Sequence, residues 1–412
     1  MSELHELKSC PVCDHPADSA LAIDKGYVAE LGEQFFFTVD MCNKCGTLFS
    51  RTRTDDSILY TPKFNFEAFH GHQQDPLEPL APDVWNFSTK VLQVEEIVDC
   101  LAYSQDVSSA NVRYLEVGAS DGTLFRMLRE EPSRTFKFGS ACLVESTGGA
   151  NACRAIPECE VYADRFEQAE LRKKNYDIAV LSHCLEHFNN PKAVLRKVLE
   201  CLSDSGLIYV EVPDGARCER SISLPLGYFH VLNFTLVTLT WIALELGLEI
   251  VSAVQRDHYP GIRLIARKAK RTSHLPRSDE VLAMSRIFGV SSLDLWRRSK
   301  VEALRKVKVA LDRGETKRIL VYGAGLHGAE LVKYLQSLGW GPNFDLCDRN
   351  FDKVAVTGLE VLNPVELDFS VYDRVIVSSY AYQSEISHVC LQRGVREGSL
   401  VRLYDAPFSY VP

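Results

Sequence analysis

Four cysteines near the N-terminus have the spacing of a metal site. Cys10 and Cys13 stand in SCPVCD, and Cys42 and Cys45 stand in MCNKCG. Each CxxC turn places two thiolates on one side of an ion, and two such turns complete a tetrahedral zinc shell with bonds of about 2.3 Å. Because four thiolates leave no position for a substrate, we predict a structural Zn²⁺ that holds together a segment of about 60 residues.

The same four cysteines are also compatible with structural or redox thiols, or with a zinc ribbon that binds nucleic acid. Lysine and arginine are not clustered around the two turns. The whole chain has 46 Lys and Arg against 55 Asp and Glu, a net charge of −9, which disfavours a phosphate-backbone partner. We therefore expect no nucleic-acid partner.

A glycine-rich turn follows an apolar run in RYLEVGASDGTLF. The apolar run over 113–117 predicts a buried strand, and LFRMLREE has helical spacing. Gly118 and Gly122 allow the backbone to approach a ligand at the start of that helix. The acidic Glu116 and Asp121 would repel a pyrophosphate but attract the amino group and sulfonium of S-adenosylmethionine. We predict that this turn binds S-adenosylmethionine.

The following segments supply the other predicted cofactor contacts. FGSACLVE ends in Glu145, which is placed to accept both ribose hydroxyls. CEVYADRF places Asp164 and Phe166 beside the adenine ring, and Ser182 ends the strand in YDIAVLSH. Strands and helices alternate through five units, so the predicted fold class is α/β, with a doubly wound, mainly parallel sheet.

The chain resembles known methyltransferases in these motifs. From about Trp85 to Lys270 it is similar to class I S-adenosylmethionine-dependent methyltransferases. More narrowly, it resembles the sugar C-methyltransferases that act on nucleotide-linked keto-deoxysugars. The resemblance rests on the order of the CxxC pairs, EVGASDG, LVES, LSHCLEHFNNP, EVPD, HVLNFTLVTL with GLEIV, and RDHYPGIRLIARK.

This resemblance implies three domains and a small-molecule substrate. The expected boundaries are 1–75 for a zinc-binding module and linker, 76–272 for the methyltransferase domain, and 273–412 for a Rossmann-like domain that closes the substrate cleft. The implied partner is a nucleotide-sugar of deoxysugar biosynthesis. The oligomeric state, monomer or dimer, stays open.

The resemblance also implies a catalytic histidine. The family places its base in a stretch that usually reads Tyr, any residue, Glu, His, followed by an aromatic residue. Here LGYFHVLNF supplies His230 and Phe234, whereas Gly227 and Phe229 occupy the tyrosine and glutamate positions and Tyr228 is one place out of register. We expect His230 to remove a proton from the carbon next to a keto group, and Tyr228 to steady the enolate oxygen.

Further residues are expected around the substrate. His183 follows the fourth strand at the carboxyl edge of the sheet, where it would line the methyl-transfer site. His258 and Arg263 fall in a stretch that the family uses near its substrate, where Arg263 would pair a phosphate. Because the Glu-His pair is missing, methylation of a sugar oxygen or nitrogen with the same cofactor site stays an alternative.

The C-terminal third carries a second glycine pattern. Gly323, Gly325 and Gly328 in VYGAGLHGAEL have dinucleotide spacing, and Asp348 follows 20 residues after the last of them. This pattern favours NAD, so an oxidoreductase is the alternative of another class. The region lacks a Tyr-Lys or Cys catalytic constellation, and the resemblance implies a nucleotide-sugar contact instead, with Tyr382 facing the cleft.

The cellular setting is predicted from composition. Thirteen cysteines, scattered outside the CxxC turns, are typical of a reducing compartment. The start lacks a basic region followed by an apolar run, and the most apolar helical stretch, 234–251, contains Glu245. We therefore expect a cytoplasmic protein without a membrane span.

Overall fold

The chain folds around three sheets with helices packed on them. The computed structural model describes residues 4–28, 32–54, 85–103, 109–130, 135–172, 175–217, 226, 230–255, 261–269, 278–312, 316–340, 343–349, 351, 359–380 and 382–404. No helix within these ranges is long and apolar enough to cross a membrane.

The N-terminal segment forms an antiparallel sheet. Its long hairpin lies between the two CxxC turns and consists of β2 (Leu21–Val28) and β3 (Gly32–Met41). Two shorter strands, β4 (Leu48–Phe49) and β5 (Thr52–Thr54), pair with β3. Strand β1 (Leu4–Glu6) pairs with β5. The hairpin thus carries one CxxC turn before it and one after it.

The central sheet has seven strands in the order β11-β12-β10-β9-β6-β7-β8. Its strands are β6 (Val112–Val117), β7 (Phe138–Val144), β8 (Cys159–Tyr162), β9 (Tyr176–Ser182), β10 (Leu202–Pro213), β11 (Leu248–Gln255) and β12 (Gly261–Lys268). All neighbours pair in parallel except β12, which is antiparallel to both β10 and β11. This agrees with the predicted α/β class and its mainly parallel sheet.

Helices alternate with these strands. They are α1 (Trp85–Tyr103), α2 (Thr123–Glu130), α3 (Ala150–Arg154), α4 (Pro191–Cys201) and α5 (Leu236–Glu245). Every residue of β9 is buried, as expected for a parallel strand covered on both faces. The chain proceeds from β6 to β7 and β8 on one side and then returns to β9 on the other. The crevice at the carboxyl ends of β6 and β9 is therefore the topological switch point, where ligands bind in such sheets.

The C-terminal region is a second parallel α/β unit, of the kind that its glycine pattern predicts. The long helix α6 (Ser278–Asp312) leads into it. Its strands, in the order β15-β14-β13-β16-β17, are β13 (Ile319–Tyr322), β14 (Phe344–Cys347), β15 (Val361–Leu362), β16 (Arg374–Val377) and β17 (Leu400–Arg402). Helices α7 (Leu326–Ser337) and α8 (Gln383–Gln392) follow β13 and β16.

The N-terminal module shares its core with the central sheet. Cys10, Val12 and Phe49 pack in one cluster of buried apolar residues with Val231 of the central region. The ammonium of Lys192 on α4 lies 2.6 Å from the carboxylate of Asp14, which follows the first CxxC turn. The N-terminal module therefore packs against the central region of the chain.

A close backbone contact joins the second CxxC turn to α6. Gly46 has φ of +75°, a conformation that favours glycine. A Cβ atom at Gly289 on α6 would lie 2.2 Å from the carbonyl oxygen of Gly46. Both positions require glycine, because any side chain at Gly289 would force the turn away from the helix.

Candidate active site

The four cysteines of the two CxxC turns come together. Their sulfur atoms all lie within 4.8 Å of one another. The Cys10 and Cys45 sulfurs are 3.6 Å apart, and so are the Cys13 and Cys42 sulfurs. Tetrahedral zinc with bonds of about 2.3 Å needs about 3.8 Å between sulfurs, whereas a disulfide needs about 2 Å. The arrangement fits a four-thiolate zinc site and excludes a disulfide at these distances.

The two turns are built alike. The N–H of Asp14 donates to the carbonyl of Cys10 at 3.0 Å, and the N–H of Gly46 donates to the carbonyl of Cys42 at 2.9 Å. Asp14 has φ of +57°, as Gly46 has +75°. Each left-handed residue closes its turn so that the two sulfurs of the pair face the same side.

Glu116 and Gly118 stand at the carboxyl end of β6, beside the crevice between β6 and β9. Gly118 has φ of +72°, and a Cβ atom there would come within 2.7 Å of the sulfur of Cys184. Glu116 is 2% exposed and accepts a hydrogen bond from the Tyr114 hydroxyl at 2.9 Å. Burial raises the pKa of Glu116 to about 7, although the nearby Lys90 acts in the opposite direction.

Glu145 stands at the end of the neighbouring strand β7. Its two carboxylate oxygens accept the N–H groups of Ser120 and Thr147, both at 2.8 Å. It is 7% exposed, and burial raises its pKa while these hydrogen bonds oppose the rise. Glu116 and Glu145 thus place two buried carboxylates at the carboxyl ends of β6 and β7, and these suit a cation better than a pyrophosphate. Two carboxylates at these positions fit the positive charge and the ribose hydroxyls of S-adenosylmethionine.

The other predicted cofactor residues differ in their surroundings. Asp121 accepts the N–H and hydroxyl of Thr123, at 3.0 and 2.6 Å, and so caps α2. Asp164 is exposed beyond β8. Ser182 is buried, and its hydroxyl accepts a hydrogen bond from the amide of Gln93 at 2.9 Å.

The assignment of Phe166 to the adenine pocket disagrees with the structure. Its ring is only 2% exposed and packs in the main apolar cluster, with the ammonium of Lys197 5.0 Å from the ring centroid. A ring covered in this way has no free face for a base to stack on. Phe166 is therefore a core residue in this conformation. The local sequence around Asp164 does not show that its ring is buried.

His183 lies at the mouth of the crevice and is tied to β10. Its Nε2 is 2.8 Å from Oε1 of Glu211, and its N–H donates to the Glu211 carbonyl at 2.8 Å. His183 has φ of +49°, a sparsely populated conformation for a residue with a side chain, and about a third of its side chain is exposed. Burial opposes its charged form, but Glu211 outweighs this and raises the pKa of His183.

Glu211 was not singled out from the sequence, although EVPD at the end of a strand contains it. It is fully buried and accepts further hydrogen bonds from the Tyr209 hydroxyl at 2.6 Å and the Gln93 amide at 2.7 Å. Burial opposes its charge, yet His183 and Arg263 hold the pKa of Glu211 well below its ordinary value. An ionised carboxylate therefore orients the imidazole of His183.

Arg263 does not have the open position that the sequence predicted for it. It is 2% exposed, and its guanidinium lies 2.7 Å from Glu211 and 2.9 Å from Glu96. Its charge is therefore engaged by two carboxylates inside the fold. A role in pairing a substrate phosphate is excluded in this conformation, and Arg263 instead supports the residue that orients His183.

His230, the predicted base, lies beside a second pair of residues. Glu186 and His187 belong to a short 3-10 turn, Leu185–His187, that follows β9. The rings of His187 and His230 are 5.0 Å apart between centroids. Burial, together with His187 and His183, lowers the pKa of His230 to about 3. The structure therefore brings His183 and His230 to the same end of the sheet but gives the carboxylate partner to His183.

The remaining predicted residues are distributed outside this cluster. Tyr228 and His258 lie outside the described residues. Tyr382 is 41% exposed and lines a cavity of about 560 Å³ in the C-terminal unit. Gly323 and Gly325 line the same cavity, as does Asp348, whose carboxylate accepts the N–H of Ala324 at 2.8 Å.

Comparison with known proteins bears on the central region. Residues 87–253 match the family model described as a methyltransferase domain. The central region of the chain therefore carries a methyltransferase domain. It is therefore an enzyme, an S-adenosylmethionine-dependent methyltransferase. No curated protein sequence matches the chain at a significant level.

Solved structures of methyltransferases are similar to this chain at low identity. The plantazolicin methyltransferase BpumL in complex with SAH is 12% identical, with a TM-score of 0.37 over 44% of this chain and 84% of that chain. A putative S-adenosylmethionine-dependent methyltransferase from Listeria monocytogenes is 14% identical, with a TM-score of 0.35 over 44% and 99%. One from Clostridium acetobutylicum is 10% identical, with a TM-score of 0.35 over 45% and 93%.

Proposed function

We propose that this methyltransferase methylates a nucleotide-linked sugar, at a carbon next to a keto group, with His183 as the base. The observation that carries the proposal is the His183 to Glu211 contact of 2.8 Å at the switch point of the central sheet. The family pattern pairs a glutamate with its histidine within one segment, and the sequence lacks that glutamate beside His230. Here Glu211 supplies the same kind of partner to His183 from the neighbouring strand.

Each residue of the crevice has a distinct role in this proposal. When bound, S-adenosylmethionine supplies an electrophilic methyl group on its sulfonium. Glu116 and Glu145 would hold the positively charged and ribose parts of that cofactor. His183 would take the proton from the acceptor carbon, which leaves an enolate on the sugar, and Glu211 would stabilise the imidazolium that forms.

We propose that the C-terminal unit holds the nucleotide part of the substrate. Its cavity of about 560 Å³ lies at the carboxyl ends of β13, β14 and β16, the position of ligands in such sheets. The positive φ of +111° at Gly323 and the exposed ring of Tyr382 favour a bound nucleotide there. The four-cysteine cluster would hold a structural zinc that fixes the N-terminal module.

Two other functions keep a specific observation in their favour. The cavity beside Gly323 and Asp348 also suits NAD, because the acidic side chain ends the strand that follows the glycine turn. Methylation of an oxygen needs only a base such as His183 near the acceptor hydroxyl. These alternatives differ from the proposal in what the enzyme does to the carbon next to the keto group.

Proton exchange at the acceptor carbon tests the proposal. Nucleoside-diphosphate keto-sugars are incubated with the enzyme in D₂O with S-adenosylhomocysteine in place of the methyl donor. The proposal predicts deuterium at one carbon next to the keto group, and predicts that His183→Gln abolishes this exchange. Methyl transfer from S-adenosylmethionine to oxygen, with no exchange, would establish the O-methyl alternative and overturn the C-methyl proposal.

A further inference from the structure

A buried carboxylate in the central region lies close to His183. Glu186 is 2% exposed, and neither of its carboxylate oxygens has a hydrogen-bond partner among the described residues. Leaving a buried charge without such partners costs several kcal/mol in free energy, so buried charges are normally paired or bound to a metal. Glu186 therefore lacks the hydrogen bonds that its burial requires, while the imidazoles of His183 and His187 lie within 4 Å of it.

Two imidazoles lie beside this carboxylate. The Nε2 of His187 is 3.8 Å from Oε1 of Glu186. One ligand atom each from Glu186, His187 and His230 can be chosen so that all three lie within 4.8 Å of one another. One carboxylate oxygen and two imidazole nitrogens at this mutual distance form a donor set that transition metals bind.

The backbone holds the three residues in register. The carbonyl of Glu186 accepts the N–H of Val231 at 2.8 Å and that of Leu232 at 3.4 Å, which places His230 directly beside the 3-10 turn. On its other side, the N–H of Asn233 donates to the carbonyl of Leu48 in the N-terminal module at 2.9 Å. The convergence of Glu186 and His230 is therefore fixed by contacts on both sides of the His230 segment.

We propose that Glu186, His187 and His230 form a binding site for one divalent transition-metal ion, separate from the four-cysteine site. Two nitrogens and one oxygen suit Zn²⁺, Fe²⁺, Co²⁺ or Mn²⁺, whereas Mg²⁺ and Ca²⁺ prefer oxygen ligands throughout. Three protein ligands leave at least one coordination position open. The site therefore has the composition of a reactive centre and not that of a closed structural one.

The open position lies at the methyl-transfer end of the sheet. Nδ1 of His183 is 3.9 Å from Oε1 of Glu186, so the metal site and the His183 to Glu211 pair are neighbours. If the acceptor is the keto-sugar of the proposed function, its oxygen would occupy the open position, and this role rests on that function. The metal site itself does not depend on it.

Cobalt binding to the full-length, zinc-loaded protein tests the site. Metal content per chain is measured first, and Co²⁺ is then titrated while the absorption spectrum is recorded. We expect one additional Co²⁺ per chain with weak visible bands and without the intense near-ultraviolet band of a thiolate ligand. Glu186→Gln and His230→Ala should each weaken Co²⁺ binding at least about tenfold.

Matched controls separate a lost ligand from a general effect. Glu200→Gln changes an exposed glutamate on α4, and His388→Ala changes an exposed histidine on α8, so both should bind Co²⁺ like the unchanged protein. Because Glu186 is buried, His187→Asn serves as a second variant at a partly exposed ligand. Zinc content and S-adenosylhomocysteine affinity report whether each variant is folded.

The outcomes are distinct from those that test the proposed function. Absence of the additional Co²⁺, or binding unchanged in His187→Asn and His230→Ala, would overturn the metal site while leaving proton exchange by His183 untouched. An additional Co²⁺ that these variants lose supports the site even if no nucleotide-sugar is methylated.

Discussion

His183 and Glu211 are joined twice across the neighbouring strands β9 and β10. The side-chain contact of 2.8 Å orients the imidazole, and the backbone hydrogen bond of 2.8 Å holds His183 in its left-handed conformation. The other ring nitrogen, Nδ1, lies 3.9 Å from Oε1 of Glu186. Such a pair of base and orienting carboxylate is what proton removal at a carbon or hydroxyl requires.

Removal of the base should affect the rate far more than cofactor binding. We expect His183→Gln to lower the rate of methyl transfer at least about a hundredfold, the range typical of a lost general base. S-Adenosylhomocysteine affinity, measured by calorimetry, should change less than about threefold. His388→Gln is the control at an exposed histidine. An unchanged rate in His183→Gln would contradict the assignment.

Glu145 should determine cofactor affinity. Exchanging Glu145 for Ala removes a buried acceptor, and we expect S-adenosylhomocysteine binding to weaken by about 1–3 kcal/mol. Glu200→Ala, at an exposed position on α4, should change the binding free energy by much less. Titration calorimetry of both variants measures this. Equal affinity in Glu145→Ala and the unchanged protein would show that the ribose lies elsewhere.

Glu116 should make stability depend on pH. Burial raises its pKa to about 7 from an ordinary 4.5, Asp121 and Glu145 act in the same direction, and Lys90 and the Tyr114 hydroxyl oppose the rise. The folded state then binds the proton more tightly than the unfolded chain. Its contribution to stability is complete below about pH 4.5 and is lost as the pH rises through about 7.

Denaturant unfolding of the cofactor-free protein and of Glu116→Gln between pH 4.5 and 8 tests this dependence. The protein should lose stability relative to the variant as the pH rises, by up to about 3 kcal/mol over the range. If the difference in the free energy of unfolding between the two is constant across this range, the pKa of Glu116 is not raised.

We expect Arg263 to contribute to the free energy of unfolding. Arg263→Met leaves the buried carboxylate of Glu211 without its cation, and we expect a loss of about 3–5 kcal/mol in the free energy of unfolding. Arg267 lies on the same strand and pairs with Glu249 at 2.7 Å near the surface, so Arg267→Met should cost less than about 1 kcal/mol. Similar losses in the two variants would refute the buried ion pair.

Loss of zinc should destabilise the segment around Asn233, at the methyl-transfer end of the central sheet. The N–H of Asn233 donates to the carbonyl of Leu48 in the N-terminal module. In Cys42→Ser, hydrogen exchange at the Asn233 amide should accelerate while the amides of β9 keep their protection. Cys100→Ser, on α1, is the matched control. If hydrogen exchange at the Asn233 amide is unchanged in a zinc-free protein, the zinc does not stabilise the segment that carries His230.

The central sheet was predictable because its chemistry is local in the sequence. Strand β9 contains the apolar run IAVL, and the glycines of EVGASDG mark the turn that follows β6. The glycine turn after β13 likewise indicated a second Rossmann-like unit in the C-terminal region. Apolar runs and glycine turns are patterns of neighbouring residues, so a single sequence is enough to recognise them.

The partners of the site residues were not predictable in the same way. Glu211 and Arg263 face each other through the antiparallel register of β10 and β12, which joins positions 52 residues apart. Phe166 is buried by packing across the sheet, which local pattern does not report. The pairing of Glu186 with His230 likewise depends on a backbone contact between distant segments. The sequence therefore indicated candidate histidines but not the contacts between distant segments that surround them.

The crevice at Glu116 and Glu145 should bind S-adenosylmethionine. Titration calorimetry of the purified protein with S-adenosylhomocysteine and, separately, with NAD distinguishes the two candidate cofactors. We expect S-adenosylhomocysteine to bind once per chain and Glu145→Ala to weaken this binding. Binding of NAD alone would refute the assignment of the crevice and place the functional site at Gly323, Gly325 and Gly328.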